Sequence, residues 1–88
     1  MMFVILSYDI NEKRVRKIEK IVKKYLWNVH QSVYNGHLTE KRFKMLKSEL
    51  KKSIVPSEDS VYIYTTEYPE VFTVEQIGKI KETEFITL

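Results

Sequence analysis

Eighty-eight residues, 43% hydrophobic and 31% charged, suffice for one small domain and fit a folded chain rather than a disordered one. The longest apolar run is Met1 to Leu6, far short of the roughly 20 residues of a spanning helix and lacking the lead-in and cleavage site of a secretory signal. Without cysteine there is no disulfide framework and no thiolate metal site, so a cytoplasmic location is expected. The net charge of +3 is unevenly held: residues 13–52 carry 13 Lys/Arg against 3 Asp/Glu, while both flanks are net acidic. A basic middle points to a polyanionic partner, either nucleic acid or an acidic membrane surface.

Met2 to Tyr8 reads as a strand with Met2, Val4, Leu6 and Tyr8 on one face and Phe3 and Ile5 on the other. A strand apolar on both faces belongs in the middle of a covered sheet. Residues 11–26 read as a helix, since Val15, Ile18, Ile21, Val22, Tyr25 and Leu26 recur at helical spacing. Asp9 and Glu12 suit a capping box at its start, with Asn11 as a competing N-cap. Trp27 to Tyr34 reads as a second strand. Asn35-Gly36 is a strong hairpin signal, from which a short third strand, His37-Leu38, would pair back. Thr39 then caps a second helix over residues 40–53, with Phe43, Leu46 and Leu50 as its apolar stripe and Pro56 beyond its end. Val61 to Thr66 alternates as a fourth strand.

The order β-α-β-β-α-β is the ferredoxin-like arrangement, an α+β fold with both helices on one sheet face. The other face would then carry Tyr62 and Tyr64 beside one parity of the first strand, an apolar surface that calls for a partner. A second copy packed sheet against sheet is the simplest solution. Tyr8, Tyr62 and Tyr64 are expected in that homodimer interface. Residues 1–88 are expected to form one domain, with 67–88 as a C-terminal strand extension. Gln76 to Ile80 and Glu84 to Leu88 read as short strands around Gly78, and a strand without a place on its own sheet adds to the partner's edge.

An apolar strand ending Tyr8-Asp9-Ile10, a basic helix, and then Ser32-Val33-Tyr34-Asn35-Gly36 resembles the small CRISPR-associated protein two family. The likeness covers nearly the whole chain. It departs at His30, where the family has glutamine, at Ile18, where some members have a second basic residue, and around Leu26-Trp27, where a glycine is usual. The resemblance implies a dimeric ferredoxin-like fold with a C-terminal strand crossing to the partner. It further implies a metal-dependent endonuclease acting on RNA or DNA in spacer acquisition. The alternative is a non-catalytic DNA-binding adaptor that bridges dimers of the CRISPR-associated integrase, protein one. Asp9 matches the family aspartate and Arg16 the family's basic helix position, so Asp9 and Arg16 are the expected catalytic residues.

The chemistry is consistent with that expectation. Mg²⁺ (or Mn²⁺) takes oxygen ligands, often one or two carboxylates with waters. One chain offers Asp9, and a twofold axis would supply its mate. The bland role for Asp9 is a helix cap. Arg14, Arg16, Lys17, Lys20, Lys24, Lys41, Arg42 and Lys44 are candidates for phosphate contacts, which give salt-sensitive affinity without sequence choice. Solvated lysine faces are the ordinary alternative. His30 and His37 match no metal-ligand spacing. With glycine only at 36 and 78 there is no phosphate-cradling loop.

Overall fold

The computed structural model describes residues 1–68 and 71–78. In chain order it contains β1 (Met2–Asp9), α1 (Val15–Lys23), β2 (Trp27–His30), β3 (Val33–Leu38), α2 (Glu40–Ser53), β4 (Ser60–Tyr68) and β5 (Val71–Gly78). The strands form one sheet in the order β2-β3-β1-β4-β5, and every neighbouring pair is antiparallel. The fold is α+β and ferredoxin-like, with a fifth strand added beside β4. No helix among the described residues is long and apolar enough to cross a membrane.

Period-two alternation decides which strand residues enter the core. Val4 and Leu6 of β1, Tyr34 and Leu38 of β3, and Val61 and Ile63 of β4 are buried on the helix side. There they meet Ile18, Ile21 and Val22 of α1 and Phe43, Leu46 and Leu50 of α2. The opposite parity of β1 and β4, with Phe3, Ile5, Tyr62 and Tyr64, is only half-buried. Ile5 lies opposite Tyr64 and Ser7 opposite Tyr62. At the β2 edge Trp27 is 81% exposed, on the row of Asn35 and Ile5.

Four local readings change. The helix expected from residue 11 starts at Val15, with Arg14 as its N-cap residue and no side-chain cap. Asp9 and Glu12 form no capping box there. Asn11 instead organises a turn ahead of the helix: its Oδ1 accepts from the Lys13 backbone N–H at 3.0 Å and its carbonyl from the Arg14 N–H at 2.8 Å. The far end is also shorter, because Lys24 to Leu26 form a turn bonded back to Ile21 and Val22. Thr39, by contrast, caps α2 as expected, its hydroxyl accepting from the Arg42 N–H at 3.2 Å.

The hairpin turn falls at Gln31-Ser32, not at Asn35-Gly36, which lies inside β3. Gln31 takes the left-handed conformation, φ 43°, and the Asn28 amide braces the turn by donating to the carbonyls of Gln31 and Val33. A bulge between Asn28 and His30 adjusts the register. Gly36 lies close under Leu26: a Cβ there would sit 3.1 Å from the Leu26 side chain. In the fourth change, Gln76 to Gly78 belong to β5 and pair with β4 of the same chain. The segment Glu84 to Leu88 lies outside the described residues.

The two glycines therefore differ in what they tolerate. Gly78 has φ +106°, and a Cβ there would meet the Asp59 carbonyl oxygen at 2.1 Å. Gly36→Ala is expected to cost about 1 kcal/mol or less, because the Leu26 side chain can shift, whereas Gly78→Ala costs well over ~1 kcal/mol through strain and collision. Urea unfolding of both variants measures the difference.

Candidate nucleic-acid site at the end of the central strand

β1 ends at Asp9, an exposed carboxylate opposite Ser60 on β4, which in turn lies opposite Gly78 on β5. Asp9 shares the parity of Ile5 and Ser7, so it sits at the margin of the open face. Beside it is a concavity lined by Tyr8, Asp9, Ile10, Val15, Glu19, Gln31 and Ser32. The β2–β3 turn reaches this place because the Tyr8 N–H donates to the Ser32 carbonyl at 3.2 Å.

Tyr8 follows Val4 and Leu6 in parity, so it lies on the helix side and not with Tyr62 and Tyr64. Its ring stacks on Tyr34 at 5.8 Å, with the hydroxyls 3.4 Å apart. Burial, reinforced by the Tyr34 hydroxyl, pushes the Tyr8 phenol up. Tyr8 is thus a neutral wall of the concavity rather than a base.

Arg16 is exposed on α1. The α1 side chains that line the Asp9 concavity are Val15 and Glu19, and Arg16 is not among the lining. Glu19 pairs with Lys23 at 2.6 Å, and that contact lowers its pKa.

The eight basic candidates divide. Arg14 is held by Asp59 and Glu58 and is mostly buried. Lys24 pairs with Glu49, which also accepts from the Tyr25 hydroxyl. Lys24 and then Tyr25 hold the Glu49 carboxyl below its usual range. Arg42 donates to the Lys24 carbonyl at 2.9 Å and lies over the Tyr25 ring at 4.7 Å. Lys44 makes a loose pair with Glu40 at 3.7 Å. Arg16, Lys17, Lys20 and Lys41 are exposed and make no ion pair with a described residue. His30 and His37 are exposed, and His37 packs its ring 5.1 Å from Phe3.

The strongest electrostatic feature is one that sequence reading passes over. Asp59 is completely buried. Its Oδ1 accepts from the Asn11 N–H at 2.8 Å and from Arg14 Nη2 at 3.0 Å, and its Oδ2 from Arg14 Nε at 2.7 Å and from the Val55 N–H at 2.8 Å. Burial by itself would raise this carboxyl. The bonds from Arg14, Asn11 and Val55 outweigh it and hold the pKa down to about 2. Arg14 and Asp59 are 45 residues apart, so no local spacing announces them. The only hint is the acidic pair Glu58-Asp59 in a turn.

Among the described residues no group of three or more His, Cys, Asp or Glu could hold a metal ion. A Mg²⁺ that keeps its waters and takes one or two carboxylates along with substrate phosphates does not need such a cage. Asp9, an exposed carboxylate of the concavity, fits that requirement when a second copy doubles it, whereas Glu19, the other carboxylate of the lining, is paired with Lys23.

This architecture defines a ferredoxin-like α+β domain with an acidic strand end beside a concave surface. Comparison with known proteins narrows the class. The family described as CRISPR associated protein Cas2 matches residues 2–74. A protein of Thermotoga maritima named CRISPR-associated endoribonuclease Cas2 is 46% identical over 77 residues, 88% of each chain. One of the same name from Methanosarcina acetivorans is 32% identical over 91% of this chain and 92% of its own. A solved structure described as a crystal structure of Cas2 superposes with TM-score 0.72 at 32% identity, covering 99% of this chain and 98% of that one. A hypothetical protein of Thermus thermophilus, TT1823, shares the fold at TM-score 0.68 and 24% identity. The chain belongs to the Cas2 family.

Asp59 also sets the acid stability. Its folded pKa lies below the usual 3.8, so its contribution is complete above that value and is lost as pH falls through about 2. The shift corresponds to about 2 kcal/mol. Asp59→Asn is expected to lose about 3 kcal/mol or more at neutral pH, since the guanidinium is left without its counter-charge. It should also flatten the stability loss between about pH 4 and pH 2. Denaturant unfolding across that pH range checks both.

Proposed function

We propose that the chain is a homodimeric, Mg²⁺-dependent endoribonuclease acting in CRISPR adaptation, with Asp9 of two copies as the metal-holding carboxylates. The observation that carries this reading is the place of Asp9: exposed, at the end of the central strand, on the parity of the half-buried face that bears Ile5, Tyr62 and Tyr64. A second copy covering that face would put two such strand ends at one seam. The family relatives that bear the name endoribonuclease support the reaction class.

Bound there, Mg²⁺ or Mn²⁺ would supply charge stabilisation at the phosphate and an activated water. The chain's own residues do the rest. Asp9 offers oxygen ligands, and a second copy would double them. Tyr8 and Ile10 wall the concavity beside Asp9. Arg16, Lys17, Lys20 and Lys41 hold the substrate backbone by charge.

The exposed cations that pair with no described residue favour a second reading, a DNA-binding adaptor that joins integrase dimers, because phosphate gripping needs no chemistry at Asp9. Asp9→Asn separates the two. On the first reading it lowers Mg²⁺-dependent cleavage of single-stranded RNA at least 100-fold while binding persists. On the second it leaves spacer acquisition in cells intact. Wild-type cleavage rates in purified Asp9→Asn protein would overturn the nuclease reading.

Replacing Arg16, Lys17 and Lys20 by glutamine is expected to flatten the dependence of log K on log[salt] for duplex DNA by about 2 to 3, near 0.9 per lost phosphate contact. Fluorescence anisotropy between 50 and 200 mM salt measures the slope.

A further inference from the structure

Asp9 is held from two directions. Across the sheet its partner is Ser60, the residue after Asp59. Along the chain, Asn11, two residues on, donates its backbone N–H to the Asp59 carboxylate at 2.8 Å. The same carboxylate takes the Val55 N–H at 2.8 Å and a two-pronged contact from Arg14 at 2.7 and 3.0 Å. Glu58 Oε1 adds contacts to Arg14 Nη2 at 3.1 Å and to the Asn11 amide at 3.2 Å. One buried anion thereby joins the exit of β1, the start of α1, the loop after α2 and the start of β4. The chain from Asp9 to Arg14 is closed into a loop whose two ends are tied to Asp59 and Ser60.

We infer that Asp59 and Arg14 are positioning residues for Asp9: their two-pronged ion pair, locked to the Asn11 and Val55 backbone, fixes the strand end from which the Asp9 carboxylate is presented to a divalent cation. Neither residue touches the substrate. The metal half of the inference rests on the reading of Asp9 given above, while the clamp itself stands on the contacts. A planar guanidinium matches both carboxylate oxygens at once, and an ammonium does not. A flat, rigid contact suits a ligand that must be held to within about half an ångström.

Arg14→Lys is the informative variant, because it keeps the charge and removes only the two-pronged contact that holds Asp59 against the Asn11 and Val55 backbone. Asp59→Asn is the second. Backbone amide hydrogen exchange and Mn²⁺-induced broadening of amide NMR signals are measured on both, on wild type and on Asp9→Ala, below each variant's own melting temperature. Exchange of residues 8–11 and Val55 is expected to rise at least tenfold in Arg14→Lys, with Val4 and Leu6 unchanged. The Mn²⁺ concentration for half-maximal broadening around Asp9 rises several-fold. A folded Arg14→Lys protein whose exchange at residues 8–11 stays within twofold of wild type overturns the clamp. Unchanged Mn²⁺ titration despite raised exchange overturns its role toward the cation. If Asp9→Ala keeps wild-type broadening, the metal reading of Asp9 itself fails, and the exchange result decides the clamp alone.

Discussion

A buried carboxylate with four donors is the constraint on which the end of this sheet depends. An isolated ionised acid in a protein interior is too costly to persist. Asp59 persists because each oxygen has two partners, one from the backbone and one from Arg14. The arrangement stabilises through specificity more than through raw energy, since an apolar replacement of similar shape often does as well for stability. What an apolar replacement cannot do is accept hydrogen bonds from three separate segments at once. The place where α1 begins, at Val15 and not at residue 11, follows from the same constraint: the Asn11 N–H is already bonded to Asp59 and the Arg14 side chain points back to it.

Charge counting and charge availability diverge in this chain. The basic middle of the sequence is real, but several of its cations are paired with acids that come from far along the chain. Glu49 takes Lys24, and Asp59 takes Arg14. Arg42 lies over Tyr25 and caps the carbonyl of Lys24, so it joins the turn after α1 to the start of α2. The cations left facing solvent lie on both helices, Arg16, Lys17 and Lys20 on α1 and Lys41, Lys51 and Lys52 on α2. A surface formed this way attracts polyanions along one side of the molecule rather than all round it.

The features legible in the sequence are those whose cause is local. Thr39, the Phe43-Leu46-Leu50 stripe and the alternation of Val61 to Tyr64 each carry their own signal, and each element appears where that signal puts it. The misread features have distant causes. Asn35-Gly36 carries a strong turn signal, yet the glycine answers to Leu26 packing above it, and the turn is taken by Gln31, held by the Asn28 amide. Tyr8 carries the right parity for the helix side, and its stacking on Tyr34 confirms that parity over the looser idea of one tyrosine-rich face. Asp9 was visible because it ends an obvious strand. Asp59 was not, because its partner is met only after the chain has folded back on itself.

The central position of β1 has a bearing on biosynthesis. Its two neighbours in the sheet, β3 and β4, begin at Val33 and Ser60. β1 therefore leaves the ribosome well before either neighbour is available, and its second edge stays open until β4 has emerged. At about 5 to 20 residues per second that wait is several seconds to roughly ten. During translation the nascent chain carries an apolar ribbon with bare edges, and substitutions that lengthen the wait or raise its stickiness will lower yield without touching the finished fold.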